Sequence, residues 1–210
     1  MRLTKYAHSC LRVEHDGGVL VVDPGVFSDS ATALAGADAV LITHQHPDHL
    51  DLAAVRQRLD KQPLPIHGPA SLAETLGDAA EVLHPVAPGE SFTAAGVAVR
   101  AYGGKHAVIH PDIPVVDNLG YLINDVVFHP GDSLVVPDET PVDTLFAPIH
   151  APWSKFSEVL DFIRAVAPRR AYALHDALLN DNGLGVLNRQ YAAMSGTDYQ
   201  RLEPGSRIDV

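Results

Sequence analysis

Short apolar runs and two-residue alternations dominate the chain, and long helical stripes are few. Arg2 to Tyr6, Cys10 to His15 and Val19 to Asp23 read as short strands, the last two joined by the turn Asp16-Gly17-Gly18. Ala39 to Thr43 is an apolar run of the kind found in strands covered on both faces. Asp51 stands where it can cap a helix with Leu52, Val55 and Leu59 on one face, ended by Pro63 and Pro65. A second strand-rich stretch follows, with Glu81 to Val86, Ser91 to Thr93, Val97 to Tyr102, Leu119 to Ile123 and Val126 to His129 as its members. Asn124-Asp125 is the tight turn between the last two. Thr144 to Ile149 adds a strand, and Ser154 is placed to cap the clearest helix, in which Phe156, Val159, Leu160, Ile163 and Val166 recur at helical spacing up to Pro168. Arg170 to Leu174 is a further buried strand. Asn182 is placed to cap a last helix ending near Gly196, and Tyr199 to Leu202 returns as an edge strand.

One internal echo cuts across these elements: Leu20-Val21-Val22-Asp23-Pro24-Gly25 matches Val126-Val127-Phe128-His129-Pro130-Gly131 in pattern. It suits an α/β fold of two similar halves, each a sheet covered outside by helices. No linker or low-complexity segment divides the chain, so residues 1–210 are expected to form one domain. With 210 residues, 46% of them hydrophobic, roughly 70% of the unfolded surface can be buried without staples.

Composition then narrows the chemistry. Cys10 is the single cysteine, which excludes an internal disulfide and any cysteine-rich metal site and fits a reducing cytoplasm. The first residues lack the apolar region of a signal peptide and no run approaches bilayer length, so a soluble cytoplasmic protein without a membrane partner is expected. The net charge of −11 comes with scattered basic residues, which disfavours nucleic acid and leaves a small molecule as the expected partner. Nothing in the sequence indicates an oligomeric state. The informative excess is histidine, with 12 copies.

Four potential ligands fall within Thr43-His44-Gln45-His46-Pro47-Asp48-His49, directly after the apolar run. In an extended loop, residues two apart face the same way, so His44 and His46 can grip one ion while Asp48 and His49 turn toward a second position. Imidazole and carboxylate together suit zinc, with manganese or iron(II) as alternatives.

This motif resembles the metallo-β-lactamase superfamily, whose hallmark is His-x-His-x-Asp-His after a core strand. The resemblance implies a four-layer αββα sandwich of two mixed sheets covered by helices. It matches His106, Asp132 and His175 to the remaining ligands: His44, His46 and His106 for one ion, Asp48, His49 and His175 for the other, and Asp132 shared. Asp23 matches the family's early aspartate, which supports the ligand loop by hydrogen bonds. His110, His129 and His150 compete with these assignments, whereas His15, His67 and His84 read as ordinary surface or core residues. The segments His106 to Pro114 and Pro148 to Lys155 resemble the small lactonase-like branch. Ala7-His8-Ser9 resembles that branch's N-terminal Gly-His-Ala or Gly-His-Ser, with alanine in place of glycine, which would set His8 beside the site.

The implied chemistry is hydrolysis of a small ester, lactone, amide or phosphodiester by a hydroxide between two ions, with Asp48 and Asp132 as catalytic carboxylates. Two alternatives use the same scaffold: an iron-dependent redox or dioxygenase enzyme, and a non-catalytic metal-binding protein. Pro111 and Pro114 stiffen the segment after His106, which would let it wall the opening and bring His110 to substrate.

Overall fold

The computed structural model describes residues 1–137 and 140–210. Two seven-stranded sheets organise them. The first contains β1 (Arg2–Lys5), β2 (Leu11–His15), β3 (Gly18–Val22), β4 (Ala39–Leu41), β5 (Ile66–Gly68) and β6 (Leu83–Pro85), with the late strand β14 (Arg207–Asp209) on the outer side of β1. The second runs in spatial order β13 (Asp198–Gln200), β12 (Arg170–Leu174), β11 (Thr144–Pro148), β10 (Val127–His129), β9 (Leu119–Ile123), β8 (Val97–Gly103) and β7 (Ser91–Ala94).

Alternation along each strand builds the layers. Leu20, Val22 and Leu41 pack with Val99, Tyr121, Phe146 and Leu174, so these side chains fill the space between the sheets. The intervening Val21, Val40 and Ile42 face the other way, against α1 (Ser30–Ala33), α2 (Leu52–Leu59) and α3 (Leu72–Leu76). In the second sheet, Phe128, Leu145 and Ala173 face outward onto α4 (Phe156–Val166) and α5 (Asp181–Met194) through Val159, Ile163 and Tyr191. The order is helices, sheet, sheet, helices, as the resemblance implied.

The internal echo falls on equivalent strands. β3 pairs antiparallel with β2 and parallel with β4, and β10 pairs antiparallel with β9 and parallel with β11. Each is therefore the strand at which its sheet changes direction. Such a change opens a crevice beyond the strand ends, where loops from neighbouring strands converge. Asp23, His44, Asp132 and His175 all follow within three residues of the ends of β3, β4, β10 and β12.

Several elements differ from the sequence reading. Ser154 does not cap α4; its hydroxyl closes a turn with the amide and carbonyl of Ala151, and α4 begins after extended Lys155 with no side-chain cap. α5 is capped by Asn180 instead of Asn182, the Asn180 side chain accepting from Gly183 N–H. β13 begins one residue before the expected strand and stops at Gln200. β5 and β14 were not anticipated: each has three residues, and β5 is confined between Pro65 and Pro69, too little for alternation to register. Among the described residues no helix is long and apolar enough to cross a membrane.

Candidate metal centre

The motif loop is held in place by the turn after β3. Val26 N–H donates to the Pro47 carbonyl at 2.9 Å and Asp51 N–H to the Pro24 carbonyl at 2.8 Å. Gly25 lies so close beneath the loop that a Cβ there would fall 1.8 Å from the Asp48 carbonyl oxygen, which no side chain tolerates. The next constraint is Asp23, fully buried between the two segments. Its Oδ1 accepts from Thr43 N–H at 2.8 Å; its Oδ2 accepts from the Thr43 hydroxyl and from His49 Nδ1, both at 2.7 Å. An ionised carboxylate can only accept, so these bonds set the direction of every proton around it.

Those directions fix what the histidines present. Thr43 gives its proton to Asp23, so Thr43 Oγ1 accepts at 3.0 Å from His44 Nδ1–H, and His44 Nε2 is left as an acceptor 3.0 Å from His46 Nδ1. His49 and His175 donate from Nδ1, to Asp23 and to the His150 carbonyl at 2.7 Å. His106 does likewise to the Ala107 carbonyl at 2.5 Å. In the neutral form of all four rings the tautomer so fixed leaves the lone pair on Nε2, the atom turned toward the cluster.

The free atoms converge. One group is His44, His46 and His106, a second is His8, Asp48, His49 and His175, and a third is His44, His49 and Asp132; within each, one ligand atom per residue lies within 4.8 Å of all the others. Asp132 sits between, with Oδ1 3.1 Å from His49 Nε2 and Oδ2 3.3 and 3.2 Å from His106 and His175 Nε2. Yet His106 Nε2, His175 Nε2 and Asp132 Oδ1 are buried without a properly aimed hydrogen bond. They are close enough to pair and point past one another into a shared space. Buried polar atoms are otherwise almost always satisfied, and a divalent cation satisfies all of these at once, so the donor set fits two such ions.

His8 has the opposite arrangement. Ala177 N–H donates to its Nδ1 at 3.3 Å, so its proton is on Nε2, which donates to Asp48 Oδ2 at 3.0 Å. It belongs spatially to the second group but offers that group a proton and not a lone pair. Burial lowers its pKa to about 4, against the opposing effect of Asp48, so the ring is neutral. His8, Asp23 and His175 also have left-handed backbones, with φ of 50°, 47° and 57°. A non-glycine residue there costs on the order of 1 to 3 kcal/mol, and the concentration of such residues around one cluster is typical of functional sites.

The competing histidines separate cleanly. His129 spends both nitrogens on structure, donating to the Ser9 carbonyl at 2.8 Å and accepting from Gly131 N–H at 3.2 Å. His150 contributes its carbonyl to His175. His110 has an exposed side chain whose Nδ1 accepts from Asp112 N–H at 3.1 Å within its own loop, and it belongs to none of the candidate metal groups. Trp153 was missed: its indole N–H donates to Asp132 Oδ2 at 2.9 Å, across 21 residues. The only signals in the sequence were that it is the sole tryptophan and lies in Pro148 to Lys155.

Protonation follows from the same geometry. Burial alone would lower the pKa of His175, but Asp132 and Asp48 against its ring override this and raise it to about 9. For His49, burial is likewise overridden, here by Asp132 and Asp23, and the pKa lies well above the ordinary value. His44, beside other histidines, is pushed well below it, chiefly by burial. The metal-free cluster therefore carries protons at His49 and His175 that a metal must displace. A folded pKa raised above the unfolded one gives stability that is complete below about pH 6.5 and lost as pH rises through about 9. Metal-free protein should consequently lose thermal stability across that window while metal affinity climbs, roughly tenfold per pH unit for each proton displaced. Melting curves with and without metal at pH 6 and 9 test this; a gap between them that narrows with rising pH would contradict it.

Two sheets with helices outside, and a histidine-carboxylate cluster where each changes direction, define a metal-binding α/β sandwich. The family described as "Beta-lactamase superfamily domain" matches residues 2–175, and the chain belongs to it. It is 41% identical to "Protein Rv0786c" of Mycobacterium tuberculosis over 99% of both chains. It is 27% identical to a "UPF0173 metal-dependent hydrolase" of Anoxybacillus flavithermus over 71% of this chain and 73% of that one. Among solved structures, a "novel metallo hydrolase" of Ignicoccus hospitalis superposes with TM-score 0.76 at 16% identity, covering 99% of this chain and 97% of that one. A "diiron beta-hydroxylase" of Streptomyces venezuelae superposes with TM-score 0.74 at 19% identity, over all of this chain and 54% of that one.

Proposed function

We propose that the chain is a dinuclear metal hydrolase acting on a small ester, lactone, amide or phosphodiester. His44, His46 and His106 would hold one ion, Asp48, His49 and His175 the other, and Asp132 both. The observation that carries this is the convergence of buried, unsatisfied Nε2 and carboxylate oxygen atoms on one space, with tautomers fixed from outside. The name of the Anoxybacillus relative supports hydrolysis.

Bound there, two divalent ions supply Lewis-acid polarisation of a carbonyl or phosphoryl oxygen and bring the pKa of water toward about 7. The chain's own residues do the rest. Asp132 is almost fully buried and held by Trp153 N–H, so it stays in one orientation and remains ionised. Asp48 is more open, its side chain 20% exposed. Burial would raise its pKa, but the His175 ring 3.3 Å away and the hydrogen bond from His8 hold it well below the usual carboxylate range. The lowered pKa keeps it ionised as a ligand and hydrogen-bond acceptor, and its partial exposure makes it the carboxylate of the pair through which a proton could pass between the site and solvent. His8, donating from Nε2, keeps Asp48 Oδ2 aimed inward.

The partner proposed is a small molecule, since a net charge of −11 opposes nucleic acid. Zinc suits this nitrogen-oxygen donor set, and manganese or iron(II) are accommodated by it as well. Iron-dependent oxidation is the second reading, favoured by the fold shared with the diiron hydroxylase. A screen of lactones, thioesters, phosphodiesters and β-lactams with zinc-, manganese- and iron-loaded protein distinguishes them. The expected result is oxygen-independent turnover by at least one class, lost on chelation and restored by metal. Turnover that survives verified metal removal, or that requires oxygen, would overturn the hydrolase.

A further inference from the structure

The family match ends at His175, and the next residue is Asp176. Its carboxylate is buried between two cations. Lys5 Nζ donates to Oδ1 at 3.2 Å and Arg201 Nε to Oδ2 at 2.8 Å. The Lys5 side chain is only 1% exposed, an unusual place for a lysine, and Lys5 is itself fixed at the end of β1 by backbone bonds to Gly205 and Ser206. Lys5, Asp176 and Arg201 belong neither to the proposed ligand set nor to the supports described above.

Stability alone does not account for such a triad. A buried ion pair gains little over apolar side chains of similar size, because desolvating the charges offsets their attraction. What distinguishes Asp176 is the turn it stands on. His175, just before it, has a left-handed backbone with φ of 57°, which persists only where the surroundings enforce it. The His175 amide donates to the His8 carbonyl at 3.1 Å. Ala177, just after, donates its amide to His8 Nδ1 at 3.3 Å and so keeps the His8 proton on Nε2, facing Asp48. Asp176 therefore anchors the middle of a three-residue turn whose ends set one ligand ring and the hydrogen-bond donor to another ligand. His44, His46 and His106 come from other loops, those after β4 and β8.

We propose that Asp176, clamped by Lys5 and Arg201, is the positioning residue of the second metal position, acting on His175 directly and on His8 and Asp48 through Ala177. The proposal rests on the metal-centre reading and gives the part of the chain beyond the family match the task of completing one of its two positions.

Zinc titration against a chromophoric chelator, with elemental analysis after dialysis, reads the two positions separately and needs no turnover. The double variant Lys5→Met, Asp176→Leu removes both fully buried charges, so neither is left unpaired. It is expected to keep about one tightly held zinc per chain and to bind the second roughly 10- to 100-fold more weakly. In Arg201→Met the pair of Lys5 with Asp176 remains; affinity for the second zinc should still fall, and Arg201→Lys should recover it. A folded double variant that binds both ions as tightly as the unaltered protein, or loses both equally, overturns the positioning role and leaves the metal centre standing. If the double variant does not fold, Arg201→Met decides: unchanged affinity for the second zinc, or a loss that Arg201→Lys does not restore, overturns the role. Unaltered protein that never takes up a second zinc overturns the metal-centre reading and this proposal together.

Discussion

Asp132→Ala should empty both metal positions at once. It faces both groups: its Oδ1 lies against His49 and its Oδ2 against His106 and His175, within 3.1 to 3.3 Å. On the proposed ligand set, removing it would take one ligand from each ion and also the charge beside the His49 and His175 rings. Ligand supports outside the coordination sphere already cost 10- to 100-fold in affinity when lost, so loss of a shared ligand should exceed roughly a hundredfold, with turnover falling at least as far. Elemental analysis after dialysis should fall from about two ions per chain to well under one. Full double occupancy in Asp132→Ala would remove this residue from the site.

The second large effect belongs to a residue that touches no metal. Asp23→Ala strands Thr43 N–H, the Thr43 hydroxyl and His49 Nδ1–H in a fully buried space. Breaking a buried charged pair by removing one partner costs about 3 to 5 kcal/mol, and that loss should appear in denaturation of the metal-free protein. Because Thr43 also fixes the His44 tautomer, metal affinity should fall a further 10- to 100-fold. Asp23→Asn keeps an acceptor for Thr43 N–H and should recover part of the stability. Urea titration together with zinc titration separates the two effects. A loss under about 1 kcal/mol with unchanged affinity would show that the loop holds its shape without Asp23.

These two residues also show how much was legible beforehand. His44, His46, Asp48 and His49 could be read as candidate ligands from their spacing, because four potential ligands in six residues after a buried strand leave little room for another reading, and the structure gathers them into one cluster. Asp132, His106 and His175 could be matched only by resemblance. A lone histidine at a strand end looks the same whether it binds metal or structure, and His129 shows why: in sequence it resembles His175, and only the partners of both its nitrogens reveal a structural role. The sandwich was legible in its strands, since apolar residues repeat at strand spacing. Caps were less so, because Ser154 and Asn182 are acceptable cap residues only one and two positions from the caps at Lys155 and Asn180, and loop packing decides between neighbours. For Trp153 the sequence offered only its being the sole tryptophan and its place in Pro148 to Lys155. Its role depends on a loop folding back across 21 residues, which local periodicity does not encode.

The most direct test of the central claim is anomalous diffraction at the zinc edge from crystals of zinc-loaded protein. Two peaks are expected, about 3.5 to 4 Å apart. One should lie among His44, His46 and His106, the other among Asp48, His49 and His175, with Asp132 touching both and His8 touching neither. A single peak, a peak ligated by His8, or no peak in protein shown to contain zinc would contradict it.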